Sequence, residues 1–105
     1  MAVEAAASTG LDPLHGVRGF AFAPGEFVGQ ESLVSASEIR TLARAAGIRR
    51  GVSVLDLCCG AGGPGSLLVA ETGCTYLGVD GDPQSLARAG QRAADEGLEA
   101  RFHHA

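Results

Sequence analysis

VLDLCCGAGGPG, residues 54–65, decides the fold. It opens as a short aliphatic run, places an acid at Asp56, and then passes into Gly60, Ala61, Gly62, Gly63, Pro64 and Gly65. Together with Val52 and Ser53, the run reads as a buried strand over 52–57. The glycines mark a turn whose backbone can take angles that a Cβ resists and which a ligand can approach closely. Pro64 fits the first turn of a following helix. The N-terminus of that helix offers unpaired N–H groups and partial positive charge. A polar ligand at the carboxyl end of a parallel sheet is what such a turn can receive.

Working outward, the pattern on both sides supports the same architecture. Upstream, Ser35 and Glu38 have the spacing of a capping box. Ile39, Leu42, Ala43 and Ala46 then recur at helical spacing, and Gly47 supplies the stop, which predicts a helix over 36–46. Downstream, GPGSLLVAETG (63–73) reads as a helix closed by Gly73, and TYLGVD (75–80) as a second strand. Asp82 and Pro83 open a third helix that carries Leu86, Ala89 and Ala93 on one face and ends before Gly97. EARFHH (99–104) alternates as a third strand. Strands alternating with helices imply parallel pairing through right-handed crossovers. The expected fold is therefore α/β: a Rossmann-like three-layer sandwich with a parallel sheet, present as its first half of about three strands and preceded by an N-terminal helix. Residues 1–25 lack a sustained period and are expected to be a flexible N-terminal segment, with Phe20, Phe22 and Phe27 as aromatic anchors for the loop that follows.

Bulk properties narrow the partners. With 105 residues and a net charge of −4, the chain is one domain at most. Its eight basic residues are all Arg and are scattered, and the sequence pI is near 5.2, which argues against nucleic acid as the main partner. No apolar run reaches the roughly 20 residues of a membrane span, and the N-terminus lacks a secretory pattern. Cys58, Cys59 and Cys74 show neither a CxxC spacing nor a Cys/His ligand pattern, so no metal is expected. They read as small core residues of a reduced, cytoplasmic protein.

The second strand supplies a matching acid. Asp80 lies 18 positions past Gly62, at the tip of the neighbouring strand, where a carboxylate can accept from both hydroxyls of a ribose. Gly60, Gly62 and Gly65 spell G-x-G-x-x-G, which also fits a dinucleotide. Asp56 separates the two readings. Its carboxylate would sit badly beside a pyrophosphate and well beside an ammonium, and S-adenosylmethionine carries both an ammonium and a ribose.

VLDLCCGAGGPG followed by YLGVDGDPQSLARA resembles motif I and the partner acidic loop of class I S-adenosylmethionine-dependent methyltransferases. The upstream GEFVGQESLVSASEIRTLARAAGI is similar to the lead-in of bacterial small-molecule enzymes of that superfamily. The resemblance covers about residues 25–105, so residues 26–105 are expected to form the N-terminal half of a cofactor-binding methyltransferase domain. It implies that Asp56 orients the methionine ammonium, directly or through water. Cys58, Gly60, Ala61 and Gly62 would form the turn along the methionine end. Asp80 would bind the ribose hydroxyls, and Gly81 and Asp82 would lie along the ribose and adenine edge. Cys58 stands where the family usually has a glycine, so its side chain must enter the core or narrow the pocket. S-adenosylhomocysteine would be the product, and no general base is visible.

Plainer roles stand beside these. Asp80 could cap the following helix, Asp56 could be a structural acid bonded to local N–H groups, and Gly65 could serve helix–strand packing. His103 and His104 read as alternate faces of a strand, and His15 as solvent-exposed. Gln30 and Glu31 could contact a cofactor as a lid or form a solvated face. A nicotinamide- or flavin-dependent oxidoreductase domain and a non-catalytic scaffold or regulatory subunit are the alternative functions. Because the resembling domain has seven strands, the chain is expected to be a fragment of a longer domain, half of a split enzyme completed by a second protein chain, or a domain-swapped assembly. A small molecule is the expected substrate.

Overall fold

A computed structural model describes residues 15–105. The Ala-rich stretch before them, and the exposure expected for the His15 side chain, lie outside the described residues. A short helix, α1 (His15–Gly19), comes first, within the segment expected to be irregular. Helix α2 spans Ala36–Ala45, followed by β1 (Ser53–Leu57), α3 (Gly63–Thr72), β2 (Thr75–Asp80), α4 (Pro83–Asp95) and β3 (Ala100–His104). All three strands pair in parallel in the order β1-β2-β3, with Val54 opposite Tyr76 and Gly78 opposite Phe102.

The helix boundaries follow local chemistry. The Ser35 hydroxyl accepts from the Glu38 N–H at 3.2 Å, and the Ser35 N–H donates to the Glu38 carboxylate at 2.8 Å, closing the capping box. Gly73 ends α3 at φ +69°, a left-handed angle that glycine reaches without a Cβ clash. The Asp82 carboxylate accepts from the Gln84 N–H and the Ser85 hydroxyl at the start of α4. The apolar face of α2 is narrower than its spacing predicted. Ala36, Ile39 and Ala43 are buried, whereas Leu42 is 67% exposed. Among the aromatic anchors, Phe22 stacks on Phe27 with ring centroids 5.5 Å apart, but Phe20 projects into solvent.

The strands advance in one direction across the sheet, so right-handed crossovers put α3 and α4 on the same face. That face carries Val54, Asp56, Tyr76, Gly78, Ala100 and Phe102, and the main cluster of buried residues, Val69, Cys74 and Tyr76, forms beneath α3. On the opposite face, among the described residues, Leu55 and Leu57 of β1 are 61% and 68% exposed, and Leu77 and Val79 of β2 are half-buried. The described residues thus supply two layers of the Rossmann-like arrangement, and β1, read as buried from its sequence, is covered on one side only.

Candidate cofactor site

The site forms where β1 and β2 end. After Leu57 the chain turns sharply through Cys58, which takes φ +60°. A left-handed angle costs a non-glycine residue of order 1 kcal/mol, and it explains why this position suits glycine. Cys58 is exposed and lines the cleft, while Cys59 turns inward against Gly78. Burial, reinforced by the charges of Asp56 and Asp80, pushes the Cys59 thiol up to about 11.

Gly60 and Gly62 have different tasks. Gly60, at φ +59°, faces the cleft, and a Cβ there would stand 3.3 Å from the Glu31 carboxylate. Gly62, at φ +82°, is buried, and a Cβ there would meet the Ala89 Cβ at 2.8 Å. Its bareness lets the turn rest on α4. Gly65 likewise serves packing, since a Cβ would lie 2.3 Å from the Tyr76 Oη.

Asp80 stands at the tip of β2, with one carboxylate oxygen accepting from the Gly60 N–H and the other from the Asp82 N–H, both at 2.9 Å. These backbone donors, Asp82 first, hold its carboxyl below the usual carboxylate range. Each oxygen keeps a second lone pair for another donor. Asp80 thus ties the glycine turn to the loop containing Gly81 and Asp82, and the ring of His104 reaches the Gly81 carbonyl at 3.2 Å. Asp56 shares the sheet face of Asp80 by register but has a different partner. It accepts a 2.5 Å hydrogen bond from the hydroxyl of Tyr76, which is 1% exposed, and it does not line the cleft. Burial and the Asp56 carboxylate together raise the Tyr76 pKa and keep the phenol protonated. The signal for this pair was present in the sequence: a tyrosine buried in a strand needs a partner for its hydroxyl.

Residues 26–36 form the other wall. Gln30 is buried at the centre of this loop. Its Oε1 accepts from the Val28 N–H at 2.6 Å, and its Nε2 donates to the carbonyls of Glu26 and Val34 at 2.9 and 2.8 Å. Glu26 accepts from the Ser37 N–H at 2.7 Å and from the Ser37 hydroxyl, fixing the loop to α2. Arg92 of α4 donates to the Val28 carbonyl at 3.3 Å, with its guanidinium against Gly29. Between this loop and the 58–62 turn lies a cleft of about 160 Å³. A larger hollow of about 560 Å³, lined by Arg50, Gly73 and Arg101, lies at the opposite end of the strands.

A glycine turn between a parallel strand and a helix, linked to an acid at the next strand tip, defines a Rossmann-like domain for a nucleoside-containing ligand. Residues 54–105 match the protein family described as a methyltransferase domain. The 23S rRNA (uracil(1939)-C(5))-methyltransferase RlmD of Shewanella sediminis is 33% identical over 84 residues, covering 79% of this chain and 19% of that protein. The sterol 24-C-methyltransferase of Saccharomyces cerevisiae is 44% identical over 48 residues, covering 46% of this chain and 12% of its own length. Among solved structures, a SAM-dependent methyltransferase from Geobacter sulfurreducens in complex with S-adenosyl-L-homocysteine superposes with a TM-score of 0.60 at 28% identity, over 67% of this chain and 29% of that one. The chain belongs to the class I S-adenosylmethionine-dependent methyltransferases, and its three strands and glycine turn are the N-terminal half of that domain. It spans about a fifth of the length of the RlmD relative.

The residues present fit the family's cofactor, S-adenosylmethionine. The cleft has one wall of bare backbone that a Cβ at Gly60 would crowd, and the half-buried Asp80 carboxylate beside it is ionised. Helix α3 has no side-chain cap at its N-terminus. Among the described residues, no group of three or more His, Cys, Asp or Glu could hold a metal ion, and no helix is long and apolar enough to cross a membrane.

Proposed function

We propose that this chain provides the methionine- and ribose-binding half of a methyltransferase acting on a nucleophilic N, O or C atom of a small molecule. The reading rests on the Asp80 carboxylate, which is fixed by the Gly60 and Asp82 N–H groups while each of its oxygens keeps a further lone pair. When bound, S-adenosylmethionine would supply an electrophilic methyl group for in-line displacement. Asp80 would accept from the ribose hydroxyls, with Gly81 and Asp82 alongside. The 58–62 turn and the loop carrying Gln30 would enclose the amino-acid end, so that rate enhancement comes chiefly from orientation. Residues 26–105 act as the binding unit, in a cytoplasmic setting.

The exclusion of nucleic acid drawn from charge does not stand as a family trait, because one relative is an rRNA enzyme and another a sterol enzyme. A small molecule is favoured here because Glu31 lines the cleft and the Asp80 and Asp82 carboxylates stand at the adjoining strand tip, negative charge that would repel phosphates. The family match favours methyl transfer over a nicotinamide- or flavin-dependent reaction. The bare face of Leu55 and Leu57 supports the expectation that more polypeptide, in the same protein or a second chain, completes the sheet. Titration calorimetry with S-adenosylhomocysteine and with NAD tests the reading. Binding of the former alone is expected. Binding of NAD alone would overturn it, and binding of neither would leave the scaffold reading.

A further inference from the structure

We infer that Glu31 is the residue that receives the cofactor's ammonium group, a role the sequence pattern gives to Asp56; the inference rests on the S-adenosylmethionine reading of the same cleft. Among the described residues, Glu31 is the only carboxylate side chain lining that cleft. Its carboxylate lies across from Gly60, with Cδ and Oε1 each 3.3 Å from where a Cβ would stand. Among the described residues it has no hydrogen bond or ion pair. The Asp56 carboxylate, by contrast, is engaged by Tyr76 and is absent from the cleft wall.

The position of Glu31 is built. Gln30 next to it is 1% exposed, and its amide joins residues 26, 28 and 34, so the backbone that carries Glu31 is closed on itself. Arg92 and the Gly29–Gly63 approach then fasten this loop to the body: a Cβ on Gly63 would meet the Val28 carbonyl at 2.3 Å. An acid held over a pocket by a rigid loop, without a partner of its own, is preorganised for a cation. The uncapped N-terminus of α3 borders the same cleft and complements a carboxylate. The two walls therefore carry opposite polarity, matched to the zwitterionic end of an amino acid.

The test compares wild type with Glu31→Gln and Glu31→Asp by titration calorimetry, using S-adenosylhomocysteine and 5′-methylthioadenosine, which lacks the amino-acid end. Glu31→Gln should weaken S-adenosylhomocysteine roughly tenfold, the order expected for a charge-assisted hydrogen bond, and leave 5′-methylthioadenosine unchanged. Glu31→Asp should fall between. Equal weakening of both ligands, with a lowered Tm, would show a merely structural role, and unchanged S-adenosylhomocysteine affinity would remove Glu31 from the site; either result overturns the assignment. If wild type binds neither ligand, the cofactor reading itself fails, and this inference fails with it.

Discussion

Replacing Gly65 by alanine should destabilise the domain strongly, although it substitutes a better helix former within α3. At an exposed helical site the change would stabilise by about 0.5–1 kcal/mol. Here the new Cβ would lie 2.3 Å from the Tyr76 Oη and 2.4 Å from Cζ, about 1 Å inside the 3.4 Å at which ordinary contact begins. The tyrosine is among the most deeply buried residues and is held at its far end by Asp56, so it has little room to withdraw. Overpacking of a tight core costs about 1–3 kcal/mol, and a hydrogen bond to a charged group contributes about 1.5–3 kcal/mol. Set against the propensity gain, the net loss is roughly 1.5–5.5 kcal/mol. Urea unfolding followed by far-UV circular dichroism would show it as a lowered midpoint with an unchanged slope. A midpoint equal to or above that of wild type would refute the reasoning that Gly65 is bare for the sake of Tyr76.

Other predictions concern the turn. At pH 7.5 a thiol reagent should modify Cys58 first and Cys59 last, because Cys58 is exposed and the buried Cys59 thiol is raised to about 11 from 9.0; S-adenosylhomocysteine should slow the Cys58 reaction, and equal labelling of the two would contradict the geometry. Because the folded pKa of Cys59 is raised, its contribution to stability is present at neutral pH and lost as pH rises above 9.0, so Cys59→Ala should flatten the alkaline limb of a Tm–pH profile. Asp80 behaves oppositely. Its folded pKa is depressed, so its contribution is present above the ordinary value of 3.8 and lost as pH falls through the lower folded value. The Tm difference between wild type and Asp80→Asn should stay constant from neutral pH to about pH 5 and shrink only in stronger acid.

Much of this arrangement was legible because local signals and tertiary needs agreed. The Ser35–Glu38 box, the Gly73 stop and the Asp82–Pro83 start are written within a few residues each, and the structure uses all of them. The single-sided cover of β1 was less visible, since an aliphatic strand reads the same whether one face or both are packed. The roles within the turn were harder still. Gly60 and Gly62 look alike in sequence, but one is bare toward the cleft and the other toward Ala89, a difference set by a helical residue 27 positions further on. Asp56 and Tyr76 lie 20 residues apart and meet only through the parallel register. The loop around Gln30 shows no periodicity, because its order comes from one buried amide bonding to three backbone groups.

The central claim is that the Gly60 turn and the Asp80 tip form one receptor for the cofactor's amino acid and ribose. It is tested most directly by ¹H–¹⁵N correlation spectra of the full chain titrated with S-adenosylhomocysteine. The account predicts that the amides of Gly60, Gly81 and Asp82 shift together and saturably, and that Asp80→Ala abolishes the shifts at the same ligand concentration. Shifts confined to Arg50, Gly73 and Arg101 at the far end of the strands, or a spectrum unmoved by excess ligand, would contradict it.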